Sequence, residues 1–181
     1  TMDFYGFYTG KIFDAYKYLG AHTEKQGVTF RTFAPSASRI ALIGEFNDWQ
    51  EWDLNKVSDG NFWECYVPQA KAGQMYKYRI YDRSGNAVEH CDPYGFGMEL
   101  RPNSASIIRD MNEYKFKDSQ WMQNRSDCRK KPLNIYEIHF GSFRKPSDKA
   151  DAWYNYEEMI DILIPYLTKN GYNYLEIMPL N

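Results

Sequence analysis

Aromatic side chains are the residues of this sequence whose number and type point most directly to ligand chemistry. The 181 residues include 16 Tyr, 11 Phe and 5 Trp, and aromatic residues make up 18% of the chain. Large flat rings favour β-strands and fill β-rich cores, and exposed rings also offer faces on which sugar rings stack. Composition does not separate core packing from sugar stacking, so the role of each ring must be inferred from its position in the sequence.

The cysteines and histidines have no spacing that would build a metal centre or a disulfide framework. They are isolated along the chain, at Cys65, Cys91 and Cys128 and at His22, His90 and His139. An odd number of cysteines without paired spacing is typical of free thiols in a reducing cytoplasm. We therefore expect a cytoplasmic protein with no metal and no other cofactor.

The charge balance and the hydropathy exclude two classes of partner. Lys and Arg number 22 and Asp and Glu number 24, which gives a formal net charge of −2. This balance supplies no electrostatic reason to bind nucleic acid or an anionic surface. The chain also has no apolar run near the roughly 18–20 residues that span a bilayer. We expect neither nucleic acid nor a membrane as a partner.

The elements that must position these residues begin with β-structure between residues 27 and 110. Short β-like runs, separated by Gly, Asn, Asp and Pro, predict strands at 27–33, 39–44, 62–68 and 75–81. In the last of these, alternation places Tyr76 and Tyr78 on one face and Lys77 and Arg79 on the other. The pattern predicts an antiparallel, immunoglobulin-like β-sandwich. Residues 1–26 precede it as an N-terminal segment.

The remainder of the chain has a different pattern. Residues 111–132 are polar without steady periodicity, which indicates a linker. Strand-like runs at 133–140 and 172–179 flank a helical repeat that contains Pro165, and they predict one βαβ unit with parallel strands. The repeat places five apolar residues on one helix face: Tyr156, Met159, Ile160, Leu163 and Leu167. Asn155 and Glu158 resemble a capping box, and Asn170-Gly171 supplies the stop.

A single βαβ unit leaves strand edges open and one helix face uncovered. Parallel strands normally occur inside larger, buried sheets. We therefore expect the chain to be a piece of a longer protein. Self-association through the uncovered surface would then be a consequence of truncation.

Several segments, in the same order, resemble the amino-terminal part of bacterial glycogen (1,4-α-glucan) branching enzymes of the α-amylase superfamily. The matching segments are Tyr18-Leu19-Gly20-Ala21-His22, Phe33-Ala34-Pro35, residues 44–49, Tyr76-Lys77-Tyr78, Asp92-Pro93-Tyr94, residues 135–144, 164–166 and 171–179. Phe143 stands where bacterial members usually have Trp. The resemblance implies that residues 27–110 are a carbohydrate-binding type of sandwich. It also implies that residues 133–181 are the first strand, helix and second strand of an incomplete (β/α)8 barrel.

The resemblance further implies a retaining transglycosylase that cuts an α-1,4 bond and forms an α-1,6 branch. Such chemistry needs a carboxylate nucleophile and a carboxylic acid/base. The family places these groups on barrel strands after the second, so we expect no catalytic residue here and an inactive fragment. Glu137 and Glu176 lie within the predicted strands, and we assign them to packing against neighbouring helices or within the barrel.

Relatives that bind glycogen use two Trp rings, a Lys and an Asn. Trp49 matches the first ring and Lys77 matches the lysine, while Asn103 matches the asparagine only after a shift of one or two residues. The second Trp should lie within 86–90, which has no aromatic residue. The expected partner is an α-glucan such as glycogen, amylose or a maltooligosaccharide. The alternative is a sandwich that only orients the barrel.

Two further rings offer another stacking surface. They are Trp52 and Trp63, of which Trp63 lies in a predicted strand and is expected in the core. Two other functions also stay open: a stand-alone module that binds glycogen and targets a partner, and the front part of a debranching enzyme.

Overall fold

A computed structural model describes residues 1–125, 130–147 and 152–180. The chain divides into two compact units, residues 1–115 and 116–181. The division falls inside the segment 111–132 that the sequence predicts to be a linker. Cys128 lies outside the described residues. Among the residues that are described, no helix is both long and apolar enough to cross a membrane.

The first unit is built from short antiparallel strands. They are β1 (Gly20–Thr23), β2 (Val28–Phe33), β3 (Arg39–Gly44), β4 (Trp52–Asp53), β5 (Asn55–Val57), β6 (Phe62–Val67), β7 (Met75–Tyr81), β8 (Ala87–His90) and β9 (Ser106–Ile107). Sheet A has the strand order β1-β2-β6-β5, and sheet B has the order β4-β3-β7-β8. β9 pairs with the first residues of β7.

The core of this unit lies between the two sheets. Side chains from both sheets form one buried cluster, which includes Phe30, Leu42, Trp63 and Tyr78. Alternate residues of a strand point to opposite faces, and β2, β3, β6 and β7 each contribute alternate side chains to this cluster. The predicted fold, a mainly β antiparallel sandwich, is confirmed.

The sandwich extends beyond the predicted range of 27–110. Residues 20–23, which the sequence places in the N-terminal segment, form β1 at the edge of sheet A. Helix α1 (Phe4–Tyr8) packs aromatic rings against the same sheet, with ring centroids 4.8 Å apart for Phe4 and Phe62 and 5.1 Å apart for Phe7 and Phe33. A five-residue helix has almost no stability by itself, so this packing is what holds it.

The second unit contains the predicted βαβ arrangement. Its elements are α2 (Ser119–Asn124), β10 (Ile135–Ile138), α3 (Phe140–Phe143), α4 (Tyr156–Lys169) and β11 (Tyr174–Ile177). β10 and β11 pair in parallel. The predicted capping box is confirmed, since Asn155 and Glu158 exchange hydrogen bonds of 2.8 and 2.9 Å. The one-turn helix α3 begins at Phe140, the last residue of the predicted strand 133–140, so the observed strand is shorter than predicted.

Helix α4 buries a narrower face than its repeat predicts. Met159, Leu163 and Leu167 are buried with Ile138. The other two members of the repeat are largely exposed, Tyr156 to 63% and Ile160 to 56%. Tyr156 still contacts the ring of Phe140, with centroids 5.3 Å apart, so the buried stripe of α4 is narrow and its flank is largely open to solvent.

The two strand glutamates lie side by side on the face of the β10–β11 pair that points away from α4. Glu137 pairs in register with Glu176, and both are exposed. Tyr136 and Leu175, their neighbours in the two strands, belong to the cluster around α4. Alternation therefore directs both carboxylates away from α4, and their packing against other helices or within a barrel stays a prediction.

Candidate carbohydrate-binding face

The turn after β3 places one Trp ring on the surface. A 3₁₀ turn, Glu45–Asn47, follows Gly44, and Phe46 within it is 8% exposed and packs in the sandwich core. Trp49, three residues later, is 39% exposed. In the Phe-Asn-Asp-Trp sequence, Phe46 therefore anchors the turn in the core, and the ring of Trp49 is exposed to solvent.

Asn47 holds the shape of this turn through its side chain. Its Oδ1 atom accepts a hydrogen bond of 2.9 Å from the backbone N–H of Gly44. Its Nδ2 atom donates to the carbonyl of Leu42 over 3.3 Å and to that of Gln50 over 2.6 Å. A side chain that satisfies three backbone groups in this way fixes a turn that has no regular ladder of its own.

Trp49 is fixed by its backbone in an unusual conformation. Asp48 and Trp49 have φ angles of 52° and 58°, both in the left-handed region. A bulky residue in this region is strained, and it persists only where the surroundings determine it. One such constraint is the hydrogen bond of 2.9 Å from the Trp49 N–H to the Gly44 carbonyl. The ring position is therefore built into the end of β3.

Lys77 lies on the outer face of sheet B, close to the same end of β3. It pairs in register with Ile43, and the preceding residue Tyr76 pairs with Gly44. Lys77 is partly buried, and its ammonium makes no ion pair or hydrogen bond with any other described residue. Its charge is thus available to a ligand.

The two tyrosines that flank Lys77 fix its direction. Both Tyr76 and Tyr78 are buried, and their hydroxyls donate to Asp92 Oδ2 over 2.7 and 3.4 Å. Asp92 also accepts from the backbone N–H of Tyr94 over 2.9 Å. Burial raises the pKa of Asp92, and it raises the pKa of both tyrosines. The inward tyrosines leave Lys77 on the opposite face of β7.

An ion-pair network covers the rest of that outer face. Arg39 contacts Glu51 at 2.7 Å and Asp53 at 2.5 Å, and Arg79 contacts Glu51 at 2.9 Å and Glu89 at 2.6 Å. The Tyr81 hydroxyl also donates to Glu51. The hydrogen bonds that Glu51 accepts lower its pKa to about 2, and the largest contribution comes from Tyr81. The sequence contains no signal for this network, since its members are separated by up to 50 residues.

Asn103, the predicted third polar contact, lies in the loop before β9. It is exposed, and its Nδ2 atom is 3.4 Å from Glu99 Oε1. The residue that reaches β7 is Ser106, which pairs with Tyr76. The structure thus brings Trp49 and Lys77 to one end of sheet B, and it places Asn103 outside the strand pairing.

Residues 86–90, where the resemblance implies a second ring, include no aromatic side chain. The turn from Asp82 to Asn86 is tied by Asp82, whose Oδ1 atom accepts from the N–H groups of Ser84 and Asn86 over 2.7 and 2.9 Å. β8 follows with four exposed residues. Tyr81 does not replace the missing ring, because the Arg39 guanidinium lies over its face at 4.7 Å.

The two other tryptophans of the sandwich unit, Trp52 and Trp63, do not share the face of Lys77. Trp63 is 3% exposed, as predicted for a core residue, and its Nε1 atom donates to the Ala34 carbonyl over 3.1 Å. Trp52 is 38% exposed on the edge strand β4 and pairs with the core residue Leu42. Residues in register share a face, so Trp52 lies on the core side of sheet B, at its rim.

Within the described ranges, no cluster of three or more His, Cys, Asp or Glu residues could hold a metal ion. Cys65 and Cys91 are free, and burial raises the pKa of the Cys65 thiol to about 11. The chemistry of this face is therefore that of one exposed ring, one free ammonium and a set of paired charges.

The sandwich is similar to a known family of carbohydrate-binding modules. Residues 18–95 match the family described as carbohydrate-binding module 48 (isoamylase N-terminal domain). The chain as a whole is similar to 1,4-alpha-glucan branching enzymes GlgB. It is 38% identical to that of Fusobacterium nucleatum over 99% of this chain and 30% of that protein, and 37% identical to that of Geobacillus stearothermophilus over 99% and 29%. The resemblance predicted from the sequence is confirmed.

Solved structures of low identity share the fold. A maltotriose complex of the PulA-G680L mutant from Klebsiella pneumoniae has a TM-score of 0.67 at 21% identity and is matched over 92% of this chain and 20% of its own. A putative alpha amylase from Salmonella typhimurium has a TM-score of 0.64 at 20% identity, over 90% and 25%. The chain thus spans less than a third of the length of each of these relatives.

Proposed function

We propose that this chain is the amino-terminal region of a cytoplasmic 1,4-α-glucan branching enzyme, and that its sandwich binds α-glucan weakly through Trp49 and Lys77. The observation that carries the binding proposal is the pairing of an exposed Trp, fixed in a strained turn, with an unpaired ammonium on the adjoining strand. Aromatic rings stack on the apolar faces of sugars, and an ammonium donates to their hydroxyls.

The expected affinity is low. One ring and one ammonium replace the two rings of a stronger site, so we expect dissociation constants on the order of millimolar for a short maltooligosaccharide. Multivalent glycogen would retain the protein more strongly through many weak contacts. A short ligand such as maltoheptaose therefore measures the single site.

Titration of maltoheptaose, followed by amide and indole NMR shifts, tests the binding proposal. Trp49→Ala should remove binding and leave the fold intact, and Lys77→Ala should weaken it. Asn103 stays the predicted third contact, and Asn103→Ala should have a smaller effect than Lys77→Ala. Trp52→Ala is the matched control, because Trp52 is equally exposed but lies on the other face of sheet B.

Three outcomes would count against this site. Unfolding of Trp49→Ala would make that ring part of the core. Binding that survives in a folded Trp49→Ala protein would place the site elsewhere, with Trp52 as the next candidate. Absence of any binding by the wild-type chain would favour a sandwich that only orients the barrel.

The second part of the proposal is that the 181-residue chain has no branching activity by itself. Glu137 and Glu176 lie on the first two strands of the βαβ unit, whereas the resemblance places the nucleophile and the acid/base of a retaining transglycosylase on later barrel strands. The iodine complex of amylose should keep its absorbance after prolonged incubation with the purified chain. A blue shift that a Glu137→Gln, Glu176→Gln double variant abolishes would contradict this proposal.

A debranching parent is the competing enzyme. The relatives that are 37–38% identical are named branching enzymes, whereas the PulA structure is 21% identical and shows the fold alone. The reading frame that continues this chain decides between them, because the two classes differ in their later barrel strands.

A further inference from the structure

We infer that Glu51 is a positioning residue for this face: its carboxylate ties the turn that carries Trp49 to the two strands that flank it. The inference rests on the proposed glucan site, and it assigns a role to a residue that does not itself contact the sugar.

The contacts of Glu51 join three parts of sheet B. Its Oε2 atom accepts from Arg39 of β3 over 2.7 Å, and its Oε1 atom accepts from Arg79 of β7 over 2.9 Å and from the Tyr81 hydroxyl. Glu51 itself belongs to neither strand, since it lies in the connection between β3 and β4. One carboxylate therefore bridges β3, β7 and the turn.

The position of Glu51 in the chain explains why this bridge acts on Trp49. Upstream of the ring, Asn47 and the Gly44 carbonyl hold the turn. Downstream, Glu51 is the first side chain that bonds to the sheet. Trp49, with its φ angle of 58°, lies between these two anchors. A strained backbone relaxes when one anchor is lost, and the ring would then leave its position at the end of β3.

The same bridge acts on the side of Lys77. Arg79 is two residues after Lys77 on the same face of β7, and its guanidinium is held between Glu51 and Glu89. This pairing keeps Arg79 in a fixed position and keeps both carboxylates engaged. Lys77 is left as the free cation of the face within the described chain. The lowered pKa of Glu51 agrees with a carboxylate that stays ionised while it holds these partners.

Two neighbouring acids provide matched controls. Asp53 contacts Arg39, and Glu89 contacts Arg79, so each shares an arginine with Glu51. Their side chains are 59% and 41% exposed, compared with 25% for Glu51. Glu51→Gln, Asp53→Asn and Glu89→Gln each remove one negative charge from the same ion-pair network, but only the first is expected to release the turn. A general electrostatic effect would be equal in all three.

The test uses the whole chain labelled with ¹⁵N at the Trp indoles, at a temperature where every variant is fully folded. The Trp49 indole signal is assigned by its loss in Trp49→Phe. We expect Glu51→Gln to shift and broaden that signal without ligand, and to weaken maltoheptaose binding about three- to tenfold, the range for one or two partly exposed ion pairs. Asp53→Asn and Glu89→Gln should leave the indole signal in place and change the affinity less than twofold.

The two readouts separate this inference from the function on which it rests. An unchanged Trp49 signal in Glu51→Gln, or equal losses of affinity in all three variants, would overturn the positioning role. If the wild-type chain binds no glucan, the proposed function fails, and the indole signal still decides whether Glu51 positions Trp49. Glu51→Asp, which keeps the charge, should restore part of the affinity if the bridge is what matters.

Discussion

The backbone N–H of Trp49 donates to the carbonyl of Gly44 over 2.9 Å, which places the exposed ring directly beyond the last residue of β3. Gly44 pairs with Tyr76, the neighbour of Lys77. Trp49 and Lys77 thus lie at the same end of one strand pair. The turn geometry, and not the strand alone, is what joins the two.

The first prediction concerns Asn47, which shapes this turn. Asn47→Ala removes three hydrogen bonds to backbone groups, so we expect the free energy of unfolding to fall by about 1–3 kcal/mol. Glucan binding should weaken with it, because the Trp49 backbone loses its support. Urea denaturation followed by circular dichroism measures the first effect.

Asn86→Ala is the control for this prediction. Asn86 is exposed and its side chain makes a single hydrogen bond, of 3.0 Å to Asp82. We expect a change below about 0.5 kcal/mol, as for most surface substitutions. Equal effects of the two substitutions would show that Asn47 is an ordinary turn residue.

The sequence predicts the strands and the anchors of this fold better than it predicts the site. β3 and β7 have the predicted bounds, because each is a continuous β-like run with turn residues on both sides. β4 and β9 have two residues each and were not predicted, since so short a run carries no period. β1 was not predicted as a strand either, and only its pairing with β2 identifies it as one.

The candidate site also combines features that the sequence predicts with features that only the folded structure shows. The exposure of Trp49 and the outward direction of Lys77 follow from a turn motif and from strand alternation, which are local signals. The bridge through Glu51 and the burial of Asp92 depend on which distant residues meet, and one sequence contains no record of that. Local patterns therefore identify the candidate ligand-facing groups, and the packing identifies the groups that hold them.

The second prediction concerns Asp92, the buried carboxylate behind β7. Asp92→Ala leaves the hydroxyls of Tyr76 and Tyr78 without their acceptor, and we expect a loss of about 2–4 kcal/mol in unfolding free energy. Asp92→Asn keeps one acceptor oxygen and should lower the free energy of unfolding by less. Denaturation curves of the two variants, with Tyr76→Phe for comparison, check the order; a milder effect of Ala than of Asn would contradict it.

The pH dependence of Asp92 has a definite sign. Burial raises its pKa in the folded state, so its contribution to stability is present below the unfolded pKa and is lost as pH rises through the folded pKa. The advantage of the wild type over Asp92→Asn should therefore narrow as the pH is raised from about 4. Melting temperatures of both proteins across this range measure the difference, and an advantage that widens with pH would contradict the assignment.

The third prediction has the opposite sign and concerns Glu51. Its folded pKa is lowered to about 2, so its contribution is present above the unfolded pKa of about 4.3 and is lost as pH falls through the folded value. The wild type should be more stable than Glu51→Gln at pH 6, and this difference should shrink between pH 4 and pH 2. The same experiment on Asp92→Asn is the internal control, because the two differences should change in opposite directions.

The last prediction concerns the relative stability of the two units. The sandwich encloses a core between two sheets, whereas the βαβ unit leaves Glu137, Glu176 and the flank of α4 exposed. Ile160 and Ile164 on that flank are 56% and 51% exposed, an apolar surface that a second copy of the chain could cover. We expect hydrogen exchange in a dilute monomer to show strong protection in β2, β3, β6 and β7 and weak protection in β10 and β11. At higher protein concentration, protection of the two parallel strands should rise together with the sedimentation coefficient. Ile160→Lys should abolish this rise, while Lys56→Ala, an exposed change in sheet A, should not.

Strong protection of β10 and β11 in the monomer would show that the βαβ unit is stable by itself and would remove the basis for self-association.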